Sequence, residues 1–198
     1  DAEDYYKDHV DPKVVDFEEK KESIHLTDLD VDSLYNKDEI ELDEELDENS
    51  YHVVIGNNPG KSALCFYKDG LLRLLPEFKK NDTTDIKPRN KEQKFALHAL
   101  TDSDLPLVCL TGLAGSGKTF ITLMAGLEEM MSGKYERIVV TRNIEPVGRD
   151  IGFLPGTMHD KMLPWLMPIQ DNLQMVVGHD KTMLRSYMDK GQIELEAL

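Results

Sequence analysis

Cysteine is scarce in this chain, with only Cys65 and Cys109 among 198 residues. Two cysteines exclude a disulfide framework. Both sit inside apolar runs, SALCFY and PLVCLT, so both read as buried thiols of a reducing compartment. The six histidines show no His-x-x-His spacing and no Cys-x-x-Cys pair exists, so no zinc site is indicated. No apolar stretch approaches the roughly 20 residues of a membrane-spanning helix, and no membrane partner is expected. A secretory leader is also missing, which fits a cytoplasmic protein. The first residue is Asp1 and not Met; we therefore expect a piece of a longer protein, and the missing leader carries little weight. Basic residues are scarce in one place only. Residues 1–50 hold 20 Asp and Glu against 5 Lys and Arg, whereas 51–198 hold 18 of each. The net charge of −15 thus belongs to one acidic segment, and the remainder is neutral. A neutral body does not exclude nucleic acid, because those contacts can be local.

Within residues 1–50 the apolar residues come in short groups such as Val14-Val15 and Ile24-His25-Leu26. They suit either an acidic linker or weakly patterned edge strands. From Tyr51 the pattern sharpens. YHVVI, SALCFYK and LLRLL are three short β-type runs, separated by GNNPGK and by Asp69-Gly70, both strong turn signals. They predict a small β-meander module within 51–80. After a polar hinge ending at Pro88, apolar residues at 95, 97, 99 and 100 predict a short helix. PLVCLT (106–111) reads as a strand buried on both faces. Residues 119–131 read as a helix apolar nearly all round, and RIVVT (137–141) as the next parallel strand. Strand, helix and strand over about 35 residues make a βαβ unit.

Two stretches end in Gly-Lys-hydroxyl: GNNPGKS (56–62) and GLAGSGKT (112–119). A phosphate-binding loop needs G-x-x-x-x-G-K-[ST] between a strand and a helix. Its glycines let successive backbone N–H groups turn inward, and the helix N-terminus adds unpaired donors and a positive dipole end. The first stretch fails. It is one residue short, Pro59 lacks an N–H, and a strand-like run follows it. Lys61 is therefore expected in a hairpin loop. The second stretch fits throughout. Gly112, Leu113, Ala114, Gly115, Ser116, Gly117, Lys118, Thr119 and Phe120 are its expected nucleotide contacts. Lys118 is the catalytic candidate, reaching the β- and γ-phosphates of ATP, and Thr119 the expected ligand of Mg2+.

The guanine-reading Asn-Lys-x-Asp of GTPases has no counterpart, since NKDE (36–39) ends in Glu and lies in the acidic segment. A small-molecule kinase would carry an arginine-rich lid after the loop, and only dispersed arginines occur there. Gln93 stands about 19 residues before Gly112 on the helix predicted ahead of the loop. Superfamily 1 helicases and their relatives carry an adenine-reading glutamine at about that place. If Gln93 does the same, Gln93→Ala weakens ATP and spares bare triphosphate.

The run TRNIEPVGRDIGFLPGTMHDKMLPWLMPIQDNL (141–173), taken with the loop and Gln93, resembles the PhoH-like family of ATPases over about residues 87–198. Members share TR-x-x-x-P-VGRDIG-[YF]-LPGT and K-M-x-PW-x-x-PI-x-DNL, often with Pro where this chain has Asn143. The resemblance implies an α/β, RecA-like P-loop NTPase core, incomplete at its C-terminus. A small β module and an acidic segment precede it. The expected layout is 1–50 as acidic linker or the end of an upstream domain, 51–80 as the β module, and 87–198 as the first part of the ATPase domain. It further implies ATP and Mg2+ as cofactors and single-stranded RNA as a partner. Arg142 and Arg149, expected at the carboxyl end of the sheet, suit the phosphates of ATP or of a nucleic-acid backbone, or else pair with Glu145 and Asp150 in a structural loop; nucleic acid is the favoured reading. An upstream PIN-type ribonuclease domain is also implied, and a homo-oligomer is a separate expectation that the sequence itself does not specify. Trp165, flanked by Leu166 and Met167, reads as core packing more than as a base-stacking platform. The competing classes are a nucleotide-gated regulatory module without motor activity and a small-molecule kinase. Hydrolysis in such folds needs an acidic residue closing a second apolar strand. After Lys118, IVV runs into Thr141-Arg142, MVV runs into Gly178-His179, and in QIELEAL the acids alternate with apolar residues. Family members carry that acid further on. Residues 1–198 alone are therefore expected to bind nucleotide weakly and to turn over no ATP above background.

Overall fold

The computed structural model describes residues 23–58, 60–77, 87–142, 158–178 and 180–197, without the side chains of 142, 158–166 and 197. The chain divides into two compact units, residues 1–76 and 77–198.

In the first unit the acidic stretch is not a bare linker. Thr27 opens helix α1 (Asp28–Lys37) with a reciprocal cap: the Asp30 backbone N–H donates to the Thr27 hydroxyl and the Asp30 carboxylate accepts from the Thr27 N–H. Two orphan donors are satisfied at once. Strands β1 (Ser23–His25) and β2 (Glu39–Glu41) flank the helix in sequence and lie at the two edges of one five-stranded sheet. Its interior is β3 (Tyr51–Ile55), β4 (Ser62–Lys68) and β5 (Leu71–Leu74), in the order β1-β3-β4-β5-β2. All its pairings are antiparallel except β1 with β3. Charged residues on short edge strands are how sheets discourage edge-to-edge association, and Glu39 and Glu41 occupy that place here. Strands β4 and β5 join at Asp69-Gly70, where both residues have positive φ (55° and 78°), as a tight hairpin turn of this hand requires. Val31 and Leu34 of α1 pack on Val54, Ala63, Cys65, Tyr67 and Leu72, which share one sheet face by strict alternation.

In the second unit, helix α2 (Lys91–Thr101) begins at Asn90, whose side chain accepts from the Gln93 N–H. Helix α3 (Lys118–Met131) follows the glycine-rich loop. Strand β6 (Ile138–Arg142) pairs in parallel with β7 (Ile193–Ala197), and helices α4 (Met158–Val176) and α5 (Lys181–Asp189) lie between them in sequence. The core centres on α3. Ile121, Leu123, Met124, Ala125, Leu127 and Met130 pack with Leu97, Ile169, Leu173, Val176, Leu184 and Ile193. Apolar residues on nearly every side of α3 mark it as the central helix of the unit. Gly126 faces Ile138 of β6, where an added Cβ would stand in ordinary contact at 3.6 Å from Cδ1. Lys134 ties the ends of α2 and α3 by donating to the Thr101 carbonyl at 3.0 Å and pairing with Glu129 at 2.5 Å. That hydrogen bond to Glu129 holds its ammonium pKa above the ordinary lysine value.

Two expectations are corrected here. PLVCLT is not a strand: no described residue pairs with 106–111, and Leu107 is 80% exposed. An apolar run becomes a buried strand only when neighbouring strands supply its hydrogen-bond partners, and β6 pairs with β7. For the same reason Cys109 is exposed, whereas Cys65 is buried and its thiol is pushed up to about 12 by desolvation. The thiolate is the reactive form. In the native protein an alkylating reagent is therefore expected to label Cys109 and leave Cys65 unmodified until denaturant is added, as read by peptide mass spectrometry. Rapid native labelling of Cys65 would contradict this packing.

Candidate functional site

The two Gly-Lys-hydroxyl stretches have different surroundings. Gly56 to Ser62 joins β3 to β4 and is strapped to α1. Asp28 accepts from both the backbone and the side-chain amide of Asn58. Lys61 Nζ donates to both carboxylate oxygens of Asp32 at 2.7 and 2.6 Å. An added Cβ at Gly56 would meet Asp28 Oδ1 at 2.6 Å, so only glycine permits this approach. An anion entering here would face Asp28 and Asp32, and the lysine that should attract it is already paired. The α1 end nearest the loop is already capped by Thr27 and carries Asp28 and Asp30 in its first turn, so it offers an anion carboxylates instead of free N–H groups.

Gly112 to Thr119 is built differently. Gly112, Gly115 and Gly117 all have positive φ (143°, 78° and 90°), and the loop closes with Ser116 N–H donating to the Leu113 carbonyl at 3.3 Å. Gly117 is the N-cap of α3, so no side chain caps the helix, and its first turn holds no acidic residue. The first intrahelical bond comes from Ile121 N–H to the Gly117 carbonyl. The N–H groups of Lys118, Thr119 and Phe120 are therefore the orphan donors that every helix leaves at its start. They sit at the positive end of the helix dipole. Lys118 Nζ folds back over the loop, donating to the carbonyls of Gly112 and Leu113, both at 2.8 Å, and to Ser116 Oγ at 3.4 Å. Thr119 is exposed at the same helix end.

Gln93 is brought to this loop: its Nε2 donates to the Ser116 carbonyl at 3.2 Å. Of the two arginines expected at the carboxyl end of the sheet, Arg142 closes β6. Arg149 and the side chain of Arg142 lie outside the described residues, as does the side chain of Trp165. Phe120 is half-buried and packs against the core around α3. The Asp32 and Asp28 straps on GNNPGKS were missed by the sequence reading. Their signal was the Thr27-x-x-Asp30 cap, which announces a helix inside the acidic segment.

A parallel strand pair covered by helices, with a glycine-rich loop opening the central helix, is a mixed α/β arrangement compatible with a P-loop NTPase-like core. Residues 85–198 match the family model described as PhoH-like protein, and the chain belongs to that family. It is 44% identical over 116 residues to Protein PhoH2 of Bacillus subtilis (strain 168), covering 57% of this chain and 26% of that protein. Protein PhoH2 of Thermobispora bispora is 36% identical over 112 residues, with coverage of 56% and 25%. Protein PhoH of Escherichia coli (strain K12) is 36% identical over 97 residues, with coverage of 49% and 27%. The chain thus spans about a quarter of the length of these relatives. No solved structure matches. No helix among the described residues is long and apolar enough to cross a membrane.

Proposed function

We propose that the chain binds ATP through Gly112–Phe120 and that the whole protein is an ATPase acting on single-stranded RNA. The observation that carries the first half is the uncapped N-terminus of α3, a 14-residue helix with the Lys118 ammonium folded over the loop that precedes it. Three orphan N–H groups, a dipole end and a lysine suit a polyphosphate, whose oxygens accept hydrogen bonds and carry the opposite charge. The ammonium now bonds to the loop's own carbonyls, so it is parked beside the place where phosphates would sit and needs only to swing outward. Mg2+ supplies charge neutralisation between the phosphates, and the Thr119 hydroxyl is the residue at hand to hold it.

RNA is proposed from family membership together with the Arg142 and Arg149 positions after β6. Arginines that follow a strand at the carboxyl end of a parallel sheet suit backbone phosphates by charge and by bidentate hydrogen bonding. The same proposal extends to a PIN-type ribonuclease domain upstream, to assembly of several copies and to a cytoplasmic setting. The test is ATP turnover by the full-length protein with and without single-stranded RNA. Turnover should rise severalfold with RNA, and the rise should shrink as salt increases, because phosphate contacts release counterions. Nucleotide binding with no response to RNA would instead identify a nucleotide-gated module.

A further inference from the structure

Gln93 stands in the first turn of α2, and both ends of its side-chain amide are engaged by the protein. Its Oε1 accepts from the Arg89 backbone N–H at 2.8 Å, and its Nε2 donates to the Ser116 carbonyl at 3.2 Å. The two bonds fix which way the amide faces, since only the oxygen can accept from Arg89 and only the nitrogen can donate to Ser116. Asn90, the cap of α2, holds the Gln93 backbone N–H at 2.9 Å, so the base of the side chain is anchored as well. On the loop side the approach is close: a Cβ at Gly117 would stand 3.1 Å from Gln93 Nε2.

The Ser116 carbonyl and the Gly117 N–H belong to one peptide group. In a planar trans peptide these two bonds point in opposite directions. Fixing the carbonyl toward Gln93 therefore turns the Gly117 N–H to the other side of the chain. From this we infer that Gln93 is a positioning residue for the phosphate loop. It holds the 116–117 peptide plane so that the Gly117 N–H faces the phosphates. The inference rests on the phosphate-binding reading of Gly112–Phe120. It assigns to Gln93 a duty toward the triphosphate, where adenine recognition would give it one toward the base alone. One N–H and one lone pair of the amide remain for other partners.

The test compares ATP, GTP and tripolyphosphate, titrated calorimetrically into the full-length protein and its Gln93→Ala, Gln93→Glu and Lys118→Ala variants. Losing one oriented donor is expected to weaken all three ligands alike in Gln93→Ala, by about 3- to 10-fold. Tripolyphosphate bound as well by Gln93→Ala as by wild type would overturn the brace, whether or not ATP weakened. In Gln93→Glu an ionised carboxylate faces the Ser116 carbonyl, whereas a protonated one can donate to it again. The deficit of this variant in tripolyphosphate affinity relative to wild type should therefore narrow as pH falls toward the ordinary carboxyl range near 4.3. A deficit independent of pH would contradict the brace, and this arm stands even if Gln93→Ala proves too unstable to measure. Lys118→Ala separates the two layers. If it leaves tripolyphosphate binding intact, the phosphate site falls and the brace with it. Loss in Lys118→Ala alone, with both Gln93 variants unaffected, removes only the brace.

Discussion

Replacing Lys118 with alanine is expected to lower ATP affinity by on the order of 100-fold, the equivalent of two charge-assisted hydrogen bonds to phosphate. Replacing Lys61 with alanine should change it by less than twofold. Both lysines follow a glycine and precede a hydroxyl residue, so a general effect of lost positive charge would weaken both variants. The contrast in surroundings predicts otherwise. Lys61 is neutralised by Asp32 at 2.6 Å and stands in a loop that leads into strand β4 and not into a helix. Lys118 begins a helix whose first N–H groups have no side-chain cap. The only consequence expected of Lys61→Ala is a stability change within about 1 kcal/mol, because the ion pair it breaks is exposed. Equilibrium binding of a fluorescent ATP analogue to both variants decides the matter. Equal losses would sink the distinction between the two loops.

A second large effect concerns the helix that carries the site. Leu127 is 1% exposed at the centre of the core around α3. Leu127→Ala should destabilise the second unit by about 2–5 kcal/mol, the range for a buried leucine that leaves a cavity. Met175, 49% exposed on α4, serves as the control, and Met175→Ala should stay within about 0.5 kcal/mol. The chain's one tryptophan, Trp165, belongs to this unit, so urea unfolding followed by its fluorescence reports the unit directly. A Leu127→Ala midpoint close to that of Met175→Ala would mean that α3 is not the central helix. Destabilising α3 also frays the N-terminus that holds the orphan donors, so weaker nucleotide binding should accompany the loss.

Local signals were the ones legible in the sequence. GLAGSGKT could be placed at a helix start because its glycines, lysine and hydroxyl act within eight consecutive residues. Asp69-Gly70 could be placed in a tight turn because positive φ at both positions favours those residue types. What escaped depended on partners distant in the chain. PLVCLT has the composition of a buried strand, yet strand formation requires a neighbour, and no described residue pairs with it. The acids of IELEA do not close an apolar strand. Its alternation in fact makes β7, with Ile193 buried and Glu194 paired to Arg137 at 3.0 Å. Helix α4 runs across Pro164 and Pro168, residues that ordinarily argue for a break. Helix α1 was concealed by the surrounding charge, although Thr27 and Asp30 stood at cap spacing. The proximity of Gln93 to the loop was inferred from helicase-like spacing. Its bond to the Ser116 carbonyl joins residues 23 apart in sequence and depends on how α2 packs beside α3, which spacing alone does not supply.

The central claim is that phosphates are held at Gly112–Phe120 and not at Gly56–Ser62. Backbone amide NMR during a tripolyphosphate titration tests it most directly, since the ligand has no base and can report only phosphate contacts. Saturable shifts should appear at Gly115, Gly117, Lys118, Thr119 and Phe120, while Gly56, Asn57, Asn58, Gly60 and Lys61 stay unchanged. Saturable shifts at Gly56–Lys61, with the α3 N-terminus unmoved, would contradict the account.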